Sequence, residues 1–225
     1  MQIYLINICD FNEIDIQNLT KFISMGNIPK YRYFDDLRRH VISEAFKYVG
    51  YRLFTGINRH PKVTRNRYGK PYYEKCDIFF NISHAGGYVV MVIDKKEVGI
   101  DIEPNLNIEL DDLLDMFHPR EKKQIMMRSL SFHELWCARE AYLKYSGIGF
   151  ANGVGEFFIL KNGKMTVNDF KGRRLSCNLQ KVNILDKYTI MVCSSGEVEK
   201  KVEIVDKTKF MNYFKEKLYD QGIRK

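Results

Sequence analysis

The chain has 225 residues, 45% of them hydrophobic and 28% charged, with a formal net charge of +8, the make-up of a soluble globular protein long enough for a sizeable core in one large domain or two small ones. No run approaches the roughly 18 apolar residues of a membrane span. Met1–Ile8 lacks the basic lead and cleavage site of a signal peptide, and five scattered cysteines without a C-x-x-C pair argue against a zinc site or a disulfide framework; the expected location is a reducing cytoplasm. The positive balance calls for an anionic partner: nucleic acid, an anionic membrane, a polyphosphate cofactor or an acidic protein. The basic residues are spread along the chain rather than bunched in an arm, which weakens the nucleic-acid reading.

Gln2–Ile8 reads as a first strand, Asp15–Ser24 as a short amphipathic helix and Tyr31–Phe54 as a long one, with Phe34, Leu37, Val41 and Ala45 at helical spacing. Arg59–Tyr73 is polar and basic, a loop closed by Gly69-Lys70-Pro71. Ile78–Ile82 and Tyr88–Ile93 are expected strands around the small-residue turn Ala85-Gly86-Gly87, and Val98–Glu103 follows a charged turn. Glu109–Met116 and Arg120–Arg128 read as short helices, the second started by Pro119. Ser131-Phe132-His133-Glu134 is a capping box for a helix that Gly147 ends. Strands return at Glu156–Leu160, Met165–Val167, Arg174–Gln180 and Tyr188–Cys193, with Asn162-Gly163 as a hairpin turn. A last helix over about Lys207–Tyr219 precedes a basic tail. The fold class is α+β, without a residue-level repeat between the halves.

Two runs carry the chemistry. In Val98-Gly99-Ile100-Asp101-Ile102-Glu103-Pro104 the two carboxylates are two residues apart on a strand and project from one face. In Trp136-Cys137-Ala138-Arg139-Glu140-Ala141-Tyr142-Leu143-Lys144, residues 136, 140 and 144 share one helix face. A strand giving Asp101 and Glu103 and a helix giving Glu140 make a hard, all-oxygen site of the kind Mg²⁺ favours, with Arg139 and Lys144 on its phosphate side. Taken singly, the runs also fit the wet face of a half-buried strand and a surface helix pair. Cys137 beside Trp136 fits a buried packing thiol better than a nucleophile.

Together the runs resemble the 4′-phosphopantetheinyl transferases of the surfactin-synthetase-activating type. That family's pattern is G-I-D-[IVL]-E, F-x-x-x-E and W-[STC]-x-K-E-[AS]-x-x-K, preceded by G-K-P and F-N-[IVL]-S-H-[AS]. Here these read Gly99–Glu103, Phe117–Glu121, Trp136–Lys144, Gly69–Pro71 and Phe80–Ala85, in order across the span from Ile28 to Phe150. One residue departs from the pattern, Arg139 where the family usually has Lys, and guanidinium and ammonium differ in geometry and hydration.

The resemblance implies two similar α/β lobes related by a pseudo-two-fold, each with a small antiparallel sheet and packed helices, with the cofactor at their junction. The lobes would be 1–97, on the coenzyme A nucleotide side, and 98–225, with the metal and the catalytic helix. It implies an enzyme that moves the 4′-phosphopantetheine arm of coenzyme A onto a serine of an apo acyl or peptidyl carrier protein and releases 3′,5′-ADP. Mg²⁺, or Mn²⁺ in its place, would sit on Asp101, Glu103 and Glu140; Glu140, as first choice for the serine proton, and Lys144 would be catalytic. Lys70, Ser83, His84, Arg139, Lys144, Lys30 and His40 would hold coenzyme A, His84 by its 3′-phosphate, with Arg32 in the same region as His40. Glu121 would act near the carrier serine or the catalytic helix, and Trp136 would be structural. The carrier would dock on Asn105–Met116, where Leu110, Leu113 and Leu114 fall at helical spacing. A monomer without nucleic-acid or membrane partners is expected. The alternatives are another Mg²⁺-dependent nucleotide transferase or hydrolase, for which no Walker loop or dinucleotide fingerprint is present, and a basic nucleic-acid-binding protein, which gives no reason for three central carboxylates.

Overall fold

The computed structural model describes residues 1–23, 29–109, 113–149, 156–196 and 199–220, with side chains as far as Phe214. Strand β1 (Gln2–Asn7) is apolar on both faces, Ile3 and Leu5 on one and Tyr4 and Ile6 on the other, as an interior strand must be. It pairs antiparallel with β5 (Tyr88–Asp94), which pairs with β4 (Phe79–Ala85), and parallel with β11 (Lys201–Ile204), giving the order β11-β1-β5-β4. One face of this sheet is covered by α1 (Glu13–Phe22), α2 (Phe34–Thr55) and the C-terminal helix α5 (Lys207–Asp220) around Phe11, Phe46, Phe210 and Phe214.

The second sheet is antiparallel, in the order β6 (Val98–Pro104), β10 (Tyr188–Ser194), β9 (Asn178–Lys181), β8 (Lys164–Asp169) and β7 (Phe157–Asn162). Its outer face packs on α3 (Pro119–Met126) and α4 (Phe132–Ser146) around Leu135, Ala138, Ala141, Ile159 and Met191. The inner faces share one apolar cluster, Ile3, Leu5, Val90 and Val92 against Ile100, Ile102, Ile190 and Val192. The order is helices, sheet, sheet, helices. The α+β class with small, mostly antiparallel sheets is thus as expected. Among the described residues no helix is long and apolar enough to cross a membrane.

Several expectations change. The chain switches sheets between β5 and β6, and its C-terminal part returns to the first sheet. β11 adds to β1, and Val205, Phe210 and Phe214 complete the first core. The strand β11 is absent from the sequence reading, because a four-residue edge strand has little pattern of its own. The expected loop 59–73 contains a hairpin, β2 (Val63–Arg65) with β3 (Pro71–Tyr73). The expected helix Glu109–Met116 is, where described, only a 3₁₀ turn at Leu114–Met116; Leu110 lies outside the described residues, as does the basic tail 221–225. Arg174 makes an isolated bridge to Asn168 rather than beginning the strand that runs Asn178–Lys181.

Candidate active site

Helix α4 lies directly on β6 because position 99 has no side chain. A Cβ on Gly99 would collide with the backbone of Ala141 and Tyr145, so only glycine allows this approach. The helix begins with a capping box, Ser131 Oγ accepting from Glu134 N–H and the Glu134 carboxylate accepting from Ser131 N–H, and ends at Gly147, whose φ of 68° is left-handed. Both ends match the sequence reading. The close approach sets residues 136, 140 and 144 against the carboxylates of β6.

Asp101 is 2% exposed. Its Oδ1 accepts from Ser83 Oγ at 2.8 Å and from Lys144 Nζ at 2.5 Å, and Lys144 Nζ also donates to Ser83 Oγ at 2.9 Å. Its Oδ2 is buried with no hydrogen-bond partner. Glu103 accepts from the Trp136 indole N–H at 3.2 Å, so Trp136 aims a carboxylate rather than only filling space. Burial, then the Asp101 charge, pushes Glu103 above the usual carboxylate range; burial does the same to Glu140, with Asp101 adding to it against the pull of Lys144. On Lys144 burial pulls downward, but the Asp101 carboxylate together with Glu140 and Cys137 outweighs it and the net shift is upward.

Among the described residues no group of three His, Cys, Asp or Glu side chains is arranged to hold a metal ion as it stands. The donor set nevertheless fits a hard divalent cation. It consists of carboxylate oxygens alone, it includes a buried oxygen without a partner, and the Asp101 charge adds to the raised proton affinity of Glu103 and Glu140, which a cation would oppose. Cys137, fully buried with its thiol toward the Asp101 and Thr189 carbonyls, is pushed well above its ordinary pKa by burial. It is an inert packing thiol, as read from the sequence.

A pocket of about 290 Å³ opens beside this cluster, lined by Tyr68, Lys70, Asn81, Glu140, Lys144 and Gly147 among others. Lys70 reaches it but is engaged in protein contacts: Nζ pairs with Glu97 and donates to the carbonyls of Val98 at 3.2 Å and Tyr145 at 3.1 Å. Asn81 and Glu97 did not emerge from the sequence. Asn81 Oδ1 accepts from Ile100 N–H at 3.0 Å and joins the two sheets. The signal was strand alternation, which puts Asn81 on the same face as Ser83.

That alternation also separates Ser83 from His84. Ser83 turns inward to Asp101 and Lys144, whereas His84 is exposed. Partial burial, then the nearby cations of Lys144 and Arg39, push the His84 pKa below its ordinary value. Arg39, another residue missed in the sequence, donates to Gly86 O at 2.6 Å. The His40 ring lies tilted against Tyr31, with centroids 5.6 Å apart, and burial lowers its pKa against the opposing pull of Glu44. Lys30 is exposed, and Arg32 lies over the Tyr33 ring.

Arg139 requires a correction. It does not face the pocket with Lys144. Its Nη1 donates to both carboxylate oxygens of Glu121 at 2.8 Å, with side chains 6% and 0% exposed, and its guanidinium lies over the Phe157 ring. Glu121 also accepts from the backbone N–H of Ile159 at 2.8 Å and of His118 at 3.0 Å. The reason is helical phase: Arg139 is four residues from Leu135 and from Leu143, both buried, so it shares their inward face. The pair locks α3, α4 and β7 together.

A sequence model described as the 4′-phosphopantetheinyl transferase superfamily matches residues 97–193, from the start of β6 almost to the end of β10. The chain is 33% identical over 198 residues to the 4′-phosphopantetheinyl transferase gsp of Aneurinibacillus migulanus, covering 81% of this chain and 82% of that one. It is 25% identical over 191 residues to 4′-phosphopantetheinyl transferase psf-1 of Bacillus pumilus, covering 80% and 82%. Against 4′-phosphopantetheinyl transferase Sfp of Bacillus subtilis (strain 168) the figure is 25% over 142 residues, 60% of this chain and 63% of that one. The chain belongs to the 4′-phosphopantetheinyl transferase superfamily, and it is a transferase.

Proposed function

We propose that the protein transfers the 4′-phosphopantetheine arm of coenzyme A to a serine of an apo acyl or peptidyl carrier protein and releases 3′,5′-ADP. The observation that carries this reading is the cluster of Asp101, Glu103 and Glu140 with Lys144 beside a pocket lined by the β2–β3 turn, β4 and α4, in a chain of this family. The serine oxygen attacks the pantetheine-side phosphorus of the pyrophosphate, and the bond from that phosphorus to the 3′,5′-ADP oxygen breaks. Such a reaction asks the protein mainly for positioning and charge neutralisation. Asp101, Glu103 and Glu140 would hold Mg²⁺, or Mn²⁺, which when bound neutralises charge on the pyrophosphate. Ser83 and Lys144 hold Asp101 Oδ1, leaving Oδ2 for a ligand. Lys144 then offsets charge on the departing phosphate, and Glu140 is the first candidate to accept the serine proton. We read the two layers as lobes related by a pseudo-two-fold, with coenzyme A at their junction and the molecule working as a cytoplasmic monomer. The test is the mass of the carrier after incubation with coenzyme A and Mg²⁺.

His84, exposed beside Arg39 and Lys144 and near His40, is the residue for the 3′-phosphate of coenzyme A, with the exposed Lys30 proposed to assist. A hydrogen bond to a charged group is worth about 1.5–3 kcal/mol, so His84→Ala should weaken use of coenzyme A by roughly ten- to a hundredfold. Dephospho-coenzyme A, lacking that phosphate, should lose much less. Equal losses for the two substrates would remove the assignment.

The carrier is proposed to dock on Asn105–Met116, by different residues from those the helical spacing suggested. Leu114 packs against the second core, whereas Leu106, Ile108 and Met116 are exposed. An apolar patch on a basic protein suits an acidic carrier helix, with an encounter that salt slows. Leu106→Asp should raise the KM for the carrier several-fold and leave coenzyme A affinity and melting temperature unchanged. Normal carrier kinetics in this variant would return the segment to plain surface.

A further inference from the structure

The β2–β3 hairpin ends in a turn, Asn66–Lys70, that forms one wall of the pocket, and the C-terminal turn of α4 forms the facing wall. Two side chains of the turn, Asn66 and Lys70, join it to the helix end. Asn66 Oδ1 accepts from the backbone N–H groups of Tyr68 at 2.9 Å and Lys70 at 3.0 Å, which shapes the hairpin turn. Its Nδ2 donates to Gly147 O at 3.0 Å, the carbonyl of the left-handed residue that ends α4. Lys70, from the same turn, donates to Tyr145 O. The last carbonyls of a helix have no partner within the helix and carry the negative end of its dipole. Here the hairpin supplies donors to two carbonyls at the end of α4, one of them from a cation.

We propose that Asn66 is a positioning residue that sets the width of the coenzyme A pocket by fastening its hairpin wall to the end of α4. This rests on the reading of the pocket given above. The carboxamide is the required group because it offers an acceptor to the turn and a donor to the helix at once. Asn66 reaches Gly147, on the pocket rim, and not the carboxylates where the transfer takes place. Its loss therefore widens the pocket without disturbing Asp101, Glu103 or Glu140. The hairpin keeps its strand pairing and the contact of Arg65 with Gly69 O at 2.8 Å, so the protein stays folded.

The discriminating variant is Asn66→Asp. It keeps an acceptor for the Tyr68 and Lys70 N–H groups but replaces the donor to Gly147 O with a carboxylate oxygen that the carbonyl repels. Steady-state transfer is measured with coenzyme A and with carrier varied separately, alongside coenzyme A binding by calorimetry. The expected result is a KM and a Kd for coenzyme A raised roughly three- to tenfold, the loss of about one hydrogen bond, with kcat and the carrier KM within twofold of wild type. Asn66→Ala, which also removes the turn acceptor, should be affected at least as much. Coenzyme A constants unchanged in both variants, or equal losses in kcat and in both KM values, overturn the assignment while wild-type transfer leaves the proposed function standing. A wild-type protein that transfers nothing instead removes the function on which the assignment rests.

Discussion

The Glu140→Gln protein should fold like the wild type and transfer phosphopantetheine at less than about one-hundredth of its rate. Asp101→Ala and Glu103→Ala should fall in the same range, since losing one contact to a metal-held, charge-neutralising centre typically removes several kcal/mol of transition-state stabilisation, taken here as roughly 3 or more. The amide keeps the size of Glu140 but can neither bind a hard cation as strongly nor accept a proton. The shifted carboxylates add a pH signature. Glu103 and Glu140 hold protons more tightly in the folded protein than free carboxylates do. The stability tied to their protonated forms is therefore full below the ordinary carboxylate pKa and is lost as pH rises through their raised values. A bound Mg²⁺ would stabilise the ionised carboxylates of the cluster and so the folded protein. The wild type should gain melting temperature on adding Mg²⁺, Glu140→Gln should gain less, and transfer should fall as acid protonates the cluster. A Glu140→Gln protein working at near wild-type rate would sink the site.

The second large effect is on stability. Glu121→Ala should cost about 3–5 kcal/mol, because it leaves the Arg139 guanidinium buried without its counter-charge. Both side chains are essentially out of solvent, so water screens little of that cost. Arg139→Lys should cost less, since the charge stays while the contact over the Phe157 ring is lost. Urea titration of the three proteins measures both values. Were Arg139 a phosphate ligand at the pocket, Glu121→Ala would leave the urea midpoint almost unmoved and act on coenzyme A binding instead.

Features set by local periodicity were legible in the sequence. Strand alternation places Asp101 and Glu103 on one face, helical spacing aligns Trp136, Glu140 and Lys144, and the capping box and Gly147 mark both ends of α4. Features set by distant partners were not. Nothing around Lys201–Ile204 announces a parallel partner two hundred residues earlier, and nothing around Asn66 announces Gly147. Arg139 is an intermediate case. Its charge drew it toward the phosphates, while its four-residue spacing from Leu135 and Leu143 already pointed inward. Ser83 and His84 are adjacent letters of one motif that strand geometry turns to opposite faces, one to steady Asp101 and the other to meet solvent.

The most direct measurement is intact-protein mass spectrometry of an apo acyl or peptidyl carrier protein incubated with this enzyme, coenzyme A and Mg²⁺. The carrier should gain about 340 Da, the mass of the phosphopantetheine arm, at its acceptor serine, with 3′,5′-ADP released in equal amount. The gain should vanish with Glu140→Gln or with a chelator. A panel of apo carriers that all keep their mass while the enzyme is folded would contradict the account.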